Sequence, residues 1–122
     1  MENGGVDIYK RARVFSHLLL QTVQSMRRDV LNQNMLTQII RSGTSIGANL
    51  AEASGSPTRK DFLNKLSVAI KEGKETLYWL DLLKANSGID QSRCDELYDE
   101  CEQLVKILVT IRKKSQASAT KI

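Results

Sequence analysis

Arg41, Ser45, Asn49 and Glu52 recur at steps of four, four and three residues, a spacing that sets them on one face of a helix. Lys71, Glu72 and Glu75 form a second polar strip further along the chain. Together these groups could bind a polar ligand, with Glu52 and Glu75 as the carboxylates for acid–base work. Such chemistry needs a group titrating near neutral pH. The single histidine, His17, lies apart among Leu18, Leu19 and Leu20, and no candidate nucleophile stands beside it. The same seven residues also read as a hydrogen-bonded seam that fixes helix register or a subunit interface, as buried polar groups do in coiled coils. That structural reading is preferred, and no catalytic residue is assigned.

Cys94 and Cys101 are seven residues apart, on the same side of a helix. With His17 they make three ligands without the short Cys or His pairs of a metal site, so they read as buried thiols acting as small hydrophobes. No metal or cofactor is expected. The glycines lack the spacing of a phosphate-cradling loop. Tyr78 and Trp79 could stack on a base, but their mid-helix setting favours packing or an inter-subunit contact.

The elements that must carry these residues follow from composition and pattern. The chain has 122 residues, 41% hydrophobic and 26% charged, with one Pro and seven Gly. That suits one globular domain and leaves little punctuation for a many-stranded sheet. No apolar run approaches the ~18 residues of a membrane span, and Met1-Glu2-Asn3-Gly4-Gly5 has no secretion-signal character. With two cysteines and no secretory context, reduced thiols and a cytoplasmic location are expected.

Four helices can be read, over about 6–28, 35–54, 58–86 and 90–114, with 115–122 as a flexible polar tail after a single domain at 1–114. The first has its stripe at Ile8, Ala12, Phe15, Leu19, Val23 and Met26, at the helical period. Leu18 and Leu20 lie outside it, and Asp29 to Asn34 read as the first connection. In the second, Gly43, Gly47 and Ala51 stack at four-residue intervals. Each glycine costs ~1 kcal/mol against Ala, so close approach of another backbone is expected. Thr58 caps the third helix with Asp61 three residues on, and Asp90 caps the fourth. Leu63, Ile70, Trp79 and Leu82 fall off the third helix's main stripe, which argues for self-association. Short connections between long helices imply an all-α, antiparallel up-and-down four-helix bundle.

Charge is unevenly spread. Lys10, Arg11, Arg13, Arg27 and Arg28 stand in a stretch without acids between Ile8 and Arg28. Six acids and one base lie between Asp90 and Glu102, and five bases with no acid between Lys106 and Lys121. An up-and-down bundle would gather Lys10, Arg11, Arg13, Arg59, Lys60, Lys65, Arg112, Lys113 and Lys114 at one pole. The other pole would hold Asp90, Asp95 and Glu96, partly offset by Arg27, Arg28 and Lys84. A basic pole is the footprint of phosphate-backbone contact; the alternative is solvated ends, with Arg112-Lys113-Lys114 satisfying a helix dipole. No aromatic is interleaved with the bases at that pole, so stacking on single strands has little support there.

The segment Gln38-Ile39-Ile40-Arg41-Ser42-Gly43-Thr44-Ser45-Ile46-Gly47-Ala48-Asn49-Leu50-Ala51-Glu52 resembles the Arg-(x)3-Ser-Ile-x-x-Asn-x-x-Glu signature of small bacterial four-helix-bundle proteins encoded in intervening sequences of 23S ribosomal RNA genes. Lys60-Asp61-Phe62-Leu63 resembles that family's Lys-Glu-Phe element. Lys71-Glu72-Gly73-Lys74-Glu75-Thr76-Leu77-Tyr78-Trp79-Leu80 resembles its helix-three motif. Ile40 stands where the family often has Arg, and Glu72 where many members have Ser. The resemblance, over roughly residues 8 to 112, implies a protomer that assembles into a ring, a homopentamer. It also implies kinship with the basic accessory protein of diversity-generating retroelements, which binds a reverse transcriptase and nucleic acid, and no enzymatic activity. The expectation is therefore a non-enzymatic oligomer that contacts RNA or DNA through its basic pole, alone or beside a partner protein. A scaffold ring that binds protein only is the alternative.

Overall fold

A computed structural model describes residues 2–3 and 6–120, with side chains from 7 to 118. Four helices fill it: α1 (Ile8–Gln24), α2 (Gln33–Ser54), α3 (Arg59–Asn86) and α4 (Gln91–Thr120). A two-residue antiparallel pairing of β1 (Glu2–Asn3) with β2 (Val6–Asp7) precedes them. Each helix packs chiefly on its two neighbours, α1 on α2 and α4, and α3 on α2 and α4. Short connections reverse the direction each time, giving the expected four-helix bundle. No helix among the described residues is long and apolar enough to cross a membrane.

The helix starts are local chemistry. Asp7 accepts a hydrogen bond from the Lys10 amide, Thr58 from Asp61 and Asp90 from Arg93, each satisfying an otherwise orphaned N–H of a first turn. Thr58 and Asp90 are the caps expected from sequence. The first helix is shorter than the expected 6–28: Val6 and Asp7 are extended, and the helix closes at Ser25, whose amide bonds back to Gln21. The corner that follows is held by Asp29 and Asn32, each accepting from the other's amide at 2.9 and 2.8 Å. Asn32 is buried and also donates to the Arg27 carbonyl.

The fourth helix departs in the other direction, running past 114 to Thr120. Ser115-Gln116-Ala117-Ser118-Ala119-Thr120 contains no Gly or Pro, so nothing in it breaks a helix already running. Residues 115–120 are therefore helix rather than tail, and 121–122 lie outside the described residues. Arg112, Lys113 and Lys114 consequently stand two turns before the helix end, whose last turn holds no base. A dipole contact, which fades within the last turn, does not explain them.

The core joins Ile8, Phe15 and Leu19 of α1 to Leu36, Ile39, Ile46 and Leu50 of α2, Leu66 and Leu80 of α3, and Leu97, Leu104 and Leu108 of α4. The close backbone approach expected along α2 is not seen at Gly43, which meets a side chain, and at Gly47 a neighbouring backbone comes only to ordinary contact distance. A Cβ on Gly47 would lie 3.9 Å from the Ala12 backbone, and one on Gly43 would overlap Leu19. Ala51 is exposed, so the stack ends at Gly47. Gly73 of α3 likewise meets a side chain of α4, where a Cβ would come within 2.6 Å of Val105. Of the off-stripe residues of α3, Ile70 is buried while Trp79 and Leu82 pack half-buried on the core. The single chain thus covers much of the apolar surplus that had argued for self-association.

Candidate functional site

The polar strips of α2 and α3 meet across the middle of the bundle. Arg41 holds Glu72 at 3.0 Å through Nη1 and binds Glu75 through Nη2. Its Nε donates to Gln38, and the Trp79 indole N–H donates to Glu75 at 3.3 Å. Below this cross-brace, Thr76 donates to the Glu72 carbonyl at 2.7 Å and shares a hydrogen bond with Ser42 Oγ at 2.9 Å, both hydroxyls buried. Every buried side-chain nitrogen and oxygen among the described residues has a partner.

The other members of the expected seam lie apart. Ser45 and Asn49 bond back to carbonyls of their own helix, Arg41 and Ser45 respectively. Glu52 pairs with Lys65 at 2.8 Å, and Lys71 is exposed. The seam is therefore Arg41, Glu72 and Glu75, with Ser42 and Thr76 as members the sequence reading missed. Their signal was present in the four-residue step from Glu72 to Thr76, but small hydroxyls within an apolar stripe look like filler. In this set each carboxylate is engaged by the one guanidinium, and the two hydroxyls are bonded beneath it.

The thiols are buried, Cys94 donating to the Leu80 carbonyl and Cys101 to Gly73, each at 3.4 Å. Burial pushes both thiols up, Cys101 to about 12, so neither is a nucleophile or a thiolate ligand near neutral pH. His17 is exposed, and no group of three or more His, Cys, Asp or Glu suited to a metal ion occurs among the described residues.

Of the nine basic residues expected at one pole, the start of α3 and the last third of α4 are physically joined. Arg59 donates to the Ser115 carbonyl at 3.0 Å, and Arg112 to Ser67 Oγ at 3.4 Å. Lys60, Lys113 and Lys114 are exposed. Lys65 is spent on Glu52. Arg11 is withdrawn to the flank of the bundle, where Glu100 holds its guanidinium at 2.6 Å. Lys10 and Arg13 are exposed on the first turns of α1, but there Ala12 faces Gly47 in mid-α2 and Arg11 reaches Glu100, so no contact among the described residues brings them to the joined ends of α3 and α4. At the opposite pole Lys84 binds Asp95, which raises the lysine above its usual range, and Arg93 binds Glu96.

An antiparallel four-helix bundle, cross-braced by one arginine and two glutamates, is the class of protein that fold and site define. The chain belongs to the 23S rRNA-intervening sequence protein family, whose model matches residues 5–110. It is similar to the crystal structure of a protein of unknown function from the S23 ribosomal protein family of Bacteroides thetaiotaomicron. The two share 34% identity over 87% of this chain and 98% of that one, with a TM-score of 0.77. Among curated proteins no significant match is found.

Proposed function

We propose that this protein is a non-catalytic, self-associating bundle that grips the phosphate backbone of RNA or DNA with the pole where α3 begins and α4 ends. The observation that carries the proposal is the pair of bonds joining those segments, Arg59 to Ser115 and Arg112 to Ser67. They join the two segments that carry Arg59, Lys60, Arg112, Lys113 and Lys114.

Placement against local stability supports the reading. Lys10 lies in the first turn of α1, and Arg59 and Lys60 open α3, where the helix dipole repels cations at about 0.3–1 kcal/mol each. Only Asp61 offsets this in the first turn of α3. Bases kept where they cost stability mark a surface selected for something else. Self-association is supported by apolar side chains left outside the core, Tyr9, Val14 and Leu20 on α1 and Val30 and Leu31 in the corner after it. Such contacts would leave the α3–α4 end open. A cytoplasmic ring is the assembly we propose.

The test is binding of unrelated RNA and DNA duplexes across a salt series. Five bases each neutralising a phosphate predict a log–log slope of about −4.5, or a loss of about five hundred-fold between 50 and 200 mM. Absence of binding at 50 mM would leave the protein-only scaffold as the better account.

A further inference from the structure

We infer that the outward face of α3 is a track for single-stranded nucleic acid and that Tyr78 is its stacking platform, an inference that rests on the phosphate-binding pole proposed above and extends it. Lys60, Asn64, Ser67, Lys71, Lys74 and Tyr78 follow one another at steps of four, three, four, three and four, and all six are exposed. At the helical period these positions fall on one line. Eighteen residues of helix give that line a length of about 27 Å, enough for several nucleotides of an extended strand.

The fold sorts charge along this line. The acids between Arg59 and Leu80 are Asp61, Glu72 and Glu75, and all three are turned to other partners. Thr58 donates to Asp61, and Arg41 holds both glutamates. Lys60, Lys71 and Lys74 form no salt bridge among the described residues. Arg112 reaches the line from α4 through Ser67, which makes the track continuous with the pole. Exposed Asp81, one turn beyond Tyr78, closes it.

Tyr78 supplies what the lysines lack. It is 57% exposed, and its ring stands 5.1 Å from that of Trp79 at 74°, an edge-to-face contact. Trp79 is itself fixed by its hydrogen bond to Glu75 and by packing on the core. A ring already oriented loses little freedom when a base stacks on it. Backbone cations leading to an aromatic face are the combination that binds single strands without sequence readout. A duplex keeps its base faces stacked inside and must unstack to use that ring, so the track favours a single strand.

The test uses the full chain, with labelled oligo(U) and oligo(dT) of about twelve nucleotides and duplexes of the same length. Tyr78→Ala should weaken single-strand binding about ten-fold and leave duplex binding within about two-fold, while Tyr78→Phe retains both. Trp79, the one tryptophan of the chain, should change its emission on adding the single strand and not the duplex. Single-strand binding untouched by Tyr78→Ala, or single-strand and duplex binding weakened alike, would overturn the track and leave the pole standing. Failure of wild-type protein to bind either form would remove both.

Discussion

Reversing Arg112, Lys113 and Lys114 to Glu should weaken duplex RNA and DNA binding about a hundred-fold at low salt, because three ion pairs of about 1 kcal/mol each give way to repulsion. The salt slope should fall by about 2.7 as three phosphate contacts disappear. The fold should survive. Lys113 and Lys114 are exposed, and the long Arg112 bond, at 3.4 Å, reaches the exposed Ser67. Reversing Arg27 and Arg28, exposed at the far pole, is the matching control and should change the affinity by less than about three-fold. Equal losses from both variants, followed by binding titrations, would mean that net charge rather than the pole drives association.

Arg41→Ala should carry the largest cost to stability outside the apolar core. Glu72 is 8% exposed and keeps its carboxylate there with its guanidinium partner gone. Loss of one partner of a fully buried pair costs about 3–5 kcal/mol. Arg41 is half exposed here, so water recovers part of that, and about 2 kcal/mol, or about 8 °C in Tm, is expected. The double change Arg41→Leu with Glu72→Leu should regain most of it, since replacing both members removes the stranded charge. Thermal denaturation of the two variants checks this. An unchanged Tm for Arg41→Ala would take these residues out of the structural seam and reopen a ligand-binding role for them.

What could be read from the sequence was what depends on local chemistry and period. Thr58 and Asp90 announced their helices because caps act within three residues, and the stripe from Ile8 to Val23 is the buried face of α1. Gly43 signals a tight contact, made with the Leu19 side chain rather than with a backbone, while Gly47 meets Ala12 at ordinary distance. Partners across the bundle were not legible. Arg41 and Glu72 are 31 residues apart, and helix periodicity says which face a residue occupies, not which neighbour it meets there. For the same reason periodicity assigns Arg11 to the basic pole, whereas Glu100, 89 residues away, holds it. The end of α4 was misplaced because polar residues without Gly or Pro look like a tail yet let a packed helix continue. Tyr78 sat in a motif that favoured packing; only its exposure and the direction of the lysines before it distinguish a platform from a core residue.

The most direct measurement of the central claim is lysine acetylation followed by mass spectrometry, with and without saturating duplex at low salt. Bound phosphates should shield Lys60, Lys113 and Lys114 by about ten-fold and leave Lys84, at the acidic pole beside Asp95, at its free rate. Shielding spread evenly over all lysines, or strongest at Lys84, would contradict a binding surface at the α3–α4 end.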